Sequence, residues 1–248
     1  MKNQFHKSLN ESRDEIFLKI KSIFKKIAIE AHVLGSVARG NPDPYSDLDV
    51  WLTIDDSVWD EFKKTRTKLF LKIGQIIHTC EPPQNAPLDG LFTSLFIKQN
   101  DNIIVVDFYL CPKHSAFITN ESKNIFGDIP LPVNELSLNP QQIPVPETYR
   151  IDFFLCFIFG TIKKIVRRKE NALELVLIQY NNLSSKYKIN VRELETDLSP
   201  FGTLTKIIEN TKEVAIAKQI GVLNEFQIFI DQVKSLENSS SKFNLHIF

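Results

Sequence analysis

Over residues 8–29 the apolar positions Ile16, Ile20, Ile23, Phe24 and Ile27 recur at helical spacing, with Lys19, Lys21, Lys25 and Lys26 elsewhere. This predicts a first helix with one buried stripe and one solvated face. Ala31-His32-Val33-Leu34 is a short apolar run that stops at Gly35-Ser36. The stretch Asn41-Pro42-Asp43-Pro44-Tyr45-Ser46 cannot be regular structure, because each proline removes a donor and restricts the residue before it. Leu48, Val50 and Leu52 then alternate with Asp47, Asp49 and Trp51, the period-two pattern of a strand with two unlike faces. Asp55-Asp56-Ser57 predicts a helix start, with a second helix over 58–73. Gln75–Cys80 predicts a strand broken by Glu81-Pro82-Pro83. Residues 91–97 and 103–110 predict a hairpin around Asn100-Asp101-Asn102.

Residues 111–149 carry Pro112, Pro130, Pro132, Pro140, Pro144 and Pro146, half of the chain's 12 prolines. No period is visible there, and a long connection or lid is the expectation. From residue 149 onward helical spacing returns, over 152–169, 171–187, 204–208 and 222–236. The expected organisation is an α+β first domain, residues 1–145, followed by an all-helical domain, residues 146–248.

Composition narrows the class. At 43% hydrophobic and 24% charged residues over 248 positions, the chain can bury a proper core. A formal net charge of zero weighs against a dedicated nucleic-acid binder, which carries a marked basic excess. The first 149 residues are slightly acidic and the remainder slightly basic. Cys80, Cys111 and Cys156 are few and lack metal-ligand spacing, the pattern of a reducing, cytoplasmic location. MKNQFHKSLNESRDE has no apolar signal core. The most apolar run, 153–160, is too short to span a bilayer, so no membrane partner is expected.

The chemistry lies between residues 33 and 53. Asp47 and Asp49 point the same way from one strand face. Two such carboxylates repel each other unless a cation sits between them, and hard oxygen ligands suit magnesium. Gly35 admits close approach of backbone N–H groups to a ligand, and Ser36 adds a hydroxyl. A phosphate-binding turn beside a metal-binding acid pair is the minimum equipment for phosphoryl or nucleotidyl transfer. In IIVVDFYL, Asp107 interrupts an apolar strand, where an acid is costly unless paired or metal-bound. A strand-end acid facing solvent is the other reading.

GSVARG followed by SDLD resembles the signature of the nucleotidyltransferase superfamily that includes DNA polymerase beta. PYSDLD with a helical second half is most similar to the small antibiotic nucleotidyltransferases that modify aminoglycosides and lincosamides. The resemblance implies a mixed sheet with flanking helices, followed by an all-helical domain of the kind that covers the active site. It implies magnesium and a nucleoside triphosphate, ATP in the first instance, with AMP passed to a hydroxyl of a small-molecule acceptor. Asp47, Asp49 and Asp107 become the expected catalytic and metal-binding acids. Gly35, Ser36, Arg39 and Ser46 become the expected nucleotide-binding residues. Glu81 and Asp89 are runner-up third acids. Glu147, Asp152, Glu170 and Glu174 are alternative bases in the helical domain. Lys163, Lys164, Arg167, Arg168 and Lys169 form a basic cluster that meets triphosphate, nucleic acid or only solvent. Transfer to a protein or RNA, of the toxin–antitoxin type, and a catalytically silent binding module remain the alternative functions.

Overall fold

The computed structural model describes residues 2–134, 150–189 and 199–243, with side chains to residue 236. The chain divides into two compact units, Asn3–Val145 and Pro146–Phe248, the latter with Met1–Lys2. The first is an α+β unit. Its helix α1 runs Lys2–Phe24, so it starts six residues and stops five residues earlier than the periodicity predicts. It ends because Ile27 and Ala28 turn back onto the Phe24 carbonyl, which frees Glu30–Val33 to form β1. Gly35–Ala38 is a single helical turn, α2, and β2 is Leu48–Ile54. Asp55 accepts the Ser57 N–H and opens the short turn leading into α3, Trp59–Phe70. The strand β3 is Gln75–Cys80, and β4 (Leu91–Gln99) joins β5 (Asn102–Pro112) through the tight turn at Asn100-Asp101.

The sheet has six strands in the order β3-β4-β5-β2-β1-β6, where β6 is Lys123–Phe126. β2 pairs in parallel with β5 and antiparallel with β1. One sheet face is the main core. Leu48, Val50, Leu52, Ile54, Val106, Phe108 and Leu110 are all at most 1% exposed. Phe108 meets Phe24 of α1 at 5.6 Å and Phe70 of α3 at 4.9 Å, centroid to centroid. The opposite face is covered only in part, where Leu34, Trp51, Cys111 and Ala116 are packed by Tyr109, Phe117 and Leu131.

β6 is a correction to the sequence reading, which found only a connection in residues 111–134. It is held by polar chemistry that leaves no period. The Glu30 carboxylate is 1% exposed. It accepts hydrogen bonds from Asn124 Nδ2 and the Ile129 N–H, and lies 3.0 Å from His32 Nε2. Gly127 has φ +91°, and a β-carbon there would collide with that carboxylate. Residues 135–149, with Pro140, Pro144, Pro146 and Glu147, lie outside the described residues.

The second unit is helical: α4 Ile151–Val166, α5 Glu174–Tyr187, α6 Pro200–Lys212 and α7 Ala217–Phe243. α4 packs against the other three, through residues such as Ile158, Phe159 and Ile162 that are 2% exposed or less. The buried Tyr180 hydroxyl accepts from Asn210 Nδ2 at 2.9 Å. Of the basic cluster, Lys163 is not solvated: it is 9% exposed, with its ammonium over the Phe159 ring. Asp152 accepts from Gln219 Nε2. No described helix is long and apolar enough to cross a membrane.

Where β2 and β5 end, His114 ties the neighbouring loops together. Its Nδ1 lies 2.9 Å from Asp56 and its Nε2 3.6 Å from Asp89. The hydrogen bond to Asp56 raises the imidazole pKa and lowers that of the carboxyl. A raised imidazole stabilises below its unfolded pKa of about 6.5, and that stability is lost as pH rises through the folded value. The lowered carboxyl stabilises above about pH 4, and that stability is lost on acidification. His114→Ala is therefore expected to melt below wild type at pH 5.5, with the gap closing by pH 8.5. A gap constant across that range would show that charge contributes nothing to the contact.

Candidate active site

The site is built at one end of the half-covered sheet face. In the β2–β5 register Asp49 stands opposite Asp107, and Trp51 opposite Tyr109. Register partners on adjacent strands point to the same side, with backbones roughly 4.8 Å apart. Asp49 and Asp107 are therefore neighbours on one face, although 58 residues separate them. Both are partly exposed, whereas their strand neighbours Leu48, Val50, Val106 and Phe108 are buried. Asp47 precedes β2 by one residue, two positions before Asp49.

Electrostatics tie the three acids to one locality. Tyr109 follows Asp107 by two positions and stacks on Trp51 at 6.3 Å. Burial first, and then the charges of Asp49, Asp107 and Asp47, push its phenol far above the ordinary value. The phenol stays neutral and keeps its proton to donate. Neither Tyr109 nor Trp51 was picked out from sequence, where they look like ordinary strand aromatics.

Gly35 closes the site from β1. The Leu34 N–H donates to the Asp49 carbonyl at 2.9 Å, which continues the β1–β2 ladder up to the turn. Gly35 then takes φ +63°, and a β-carbon there would sit 2.7 Å from Asp49 Oδ2. Here the glycine is needed twice: for its backbone angle and for the approach to the acid. Ser36 follows in the first turn of α2, where backbone N–H groups have no earlier carbonyl to meet within the helix.

The other expected nucleotide contacts are already engaged. Arg39 Nη1 lies 2.6 Å from Glu121 Oε2, with both side chains about half exposed. Such a pair is worth at most about 1 kcal/mol, so a phosphate can replace the carboxylate. The Ser46 hydroxyl accepts from the Asp43 N–H at 3.0 Å, and the Tyr45 N–H donates to Asp43 Oδ1 at 2.8 Å. Ser46 thus shapes the loop before Asp47. Of the runner-up acids, Glu81 bonds Arg66 and Thr93, and Asp89 sits by His114. Arg13 and His6 of α1 reach the same loop, at Asp43 and Tyr45.

The donor set suits magnesium in kind, since the carboxylates offer only hard oxygens. It is not a closed cage. Among the described residues, no group of three or more His, Cys, Asp or Glu side chains is gathered to hold a metal ion. That fits an ion held by one or two carboxylates plus substrate phosphates, as magnesium usually is.

A glycine-serine turn against an acid pair, on a mixed sheet backed by two helices, is the architecture of a nucleotidyl-transferring domain. Residues 13–80 match the nucleotidyltransferase domain family, so the α+β unit carries a nucleotidyltransferase domain. No curated protein matches the sequence. Two solved structures are similar over most of the chain. One is the CdnE cyclic dinucleotide synthase of Elizabethkingia meningoseptica with GTP and Apcpp. It is 14% identical, over 93% of this chain and 78% of that one, at a TM-score of 0.29. The other is the STING-associated CdnE c-di-GMP synthase of Capnocytophaga granulosa, 16% identical over 94% and 83%, again at 0.29. Both are cyclic dinucleotide synthases by name.

Gly35→Ala is expected to destabilise the fold by about 1–2 kcal/mol, the cost of a left-handed backbone at a residue with a β-carbon. It should also displace Asp49. Chemical denaturation checks the first effect, and equal stability of the two proteins would show that the turn relaxes without cost.

Proposed function

We propose that the chain transfers a nucleoside monophosphate from a nucleoside triphosphate to a hydroxyl of a small acceptor. The observation that carries this reading is the Asp49–Asp107 register with Gly35 packed against Asp49. Asp47 and Asp49 would hold magnesium on the triphosphate, and bound there it would supply neutralisation of phosphate charge. The Gly35-Ser36 turn receives the outer phosphates through its N–H groups and hydroxyl. The acceptor oxygen bonds to the α-phosphorus while the bond to the β-phosphate oxygen breaks, and pyrophosphate leaves. Asp107 takes the hydroxyl proton as general base, or would be the ligand of a second ion.

The decisive experiment incubates the protein with labelled ATP or GTP, with and without magnesium, against a panel of hydroxyl acceptors that includes a second nucleotide. Magnesium-dependent release of pyrophosphate and a labelled adduct is expected. Asp49→Asn should abolish it while the melting temperature without metal stays level or rises, since carboxylate repulsion is relieved. Ser36→Ala should weaken triphosphate binding by about 1 kcal/mol in calorimetry, the scale of one hydrogen bond. Full transfer by Asp49→Asn would overturn the assignment of the acid pair.

A further inference from the structure

α1 carries one residue that does not belong in its stripe. Leu9, Ile16, Ile20 and Phe24 are buried along one face, and Arg13 falls in the same helical series. It is 5% exposed. Its guanidinium donates from Nη1 to the Asp43 carbonyl at 2.8 Å, and from Nη2 to Asn10 Oδ1 at 2.9 Å. Burying a guanidinium is costly, and an apolar side chain of similar volume commonly serves stability as well or better. Packing therefore gives no reason for an arginine at this position.

The Asp43 end of the contact gives one. Asp43 organises the loop that delivers Asp47. Its carboxylate accepts from the Tyr45 N–H, its carbonyl accepts from the Ser46 N–H, and its own N–H donates to Ser46 Oγ. The carbonyl thus has two donors, the Ser46 N–H from within the loop and Arg13 from the helix. His6, two turns earlier on α1, meets Tyr45 in the same loop, with Nε2 3.1 Å from the hydroxyl and the rings edge to face. α1 is fixed to the sheet independently of this loop, through Phe24 against Phe108 and through Ser8 and Ser12, which accept from the buried Asn102. The helix is thus a rigid post and the loop is tethered to it. A proline-containing loop without a ladder of its own needs such a tether if the residue after it is to hold one position.

We infer that Arg13 is a positioning residue of the transfer site, fixing the loop 41–46 so that Asp47 is presented beside Asp49. It touches no substrate and acts through the Asp43 carbonyl. The inference rests on the proposed nucleotidyl transfer and adds to it a residue on α1.

The test uses the full chain with Arg13→Met, Arg13→Lys and wild type, read in two ways. Amide hydrogen exchange reports the loop without reference to activity. In Arg13→Met the backbone amides of residues 41, 43 and 45–47 should exchange at least about 10-fold faster, while global unfolding is unchanged or slightly more stable. In the transfer assay kcat should fall about 10- to 100-fold, the scale for a misplaced catalytic group, with KM for the acceptor little changed. Arg13→Lys keeps one donor for the carbonyl but loses the fork to Asn10, and should recover part of both losses. Loop exchange equal to wild type in Arg13→Met overturns the inference, as does faster exchange with undiminished kcat. Wild-type protein that transfers nothing overturns the functional reading instead, and the exchange comparison still decides whether Arg13 holds the loop.

Discussion

Everything in the α+β unit depends on the parallel pairing of β2 with β5. Parallel neighbours need a long crossover, and here α3, β3 and β4 make it. The pairing is pinned from both sides. On the core face Val50 stands opposite Phe108, with Phe108 locked between Phe24 and Phe70. On the other face Trp51 stacks on its partner Tyr109. A slip of one residue would turn every side chain of one strand to the wrong face. Asp107 would enter the aromatic core and Phe108 would join the acids. The core's demand for phenylalanine at one position is what sets an aspartate opposite another aspartate at the next.

Buried polar groups do the remaining organising, each at the end of a tether. Arg13 reaches the loop before Asp47, Glu30 gathers the 123–129 segment onto β1, and Asn102 meets Ser8 and Ser12. A buried donor or acceptor left unpaired costs more than a satisfied one contributes. Such contacts therefore act less as sources of stability than as penalties against every other arrangement. The acid face benefits most, since three carboxylates have no mutual attraction to keep them in place.

The sequence by itself determined the elements whose burial is periodic along their own length. β3 falls on its expected residues, the β4–β5 hairpin turns where its asparagines sit, and the four described helices of the second unit lie over the expected apolar spacings. The Gly35-Ser36 turn and the Asp47/Asp49 pair were legible because each is a local chemical pattern. What only the tertiary structure decided is who meets whom. β6 has too few residues and too little alternation to announce itself, and exists because Glu30 binds Asn124 across 94 residues. Arg39 faces Glu121 at a separation of 82. Arg13 lies in the buried series of Leu9, Ile16 and Ile20, and its partner Asp43 is 30 residues away. The physical reason is the same in each case. Periodicity records only whether a side chain faces water or core, whereas the partner of a buried charge is chosen by strand register and chain crossover, which no local window contains.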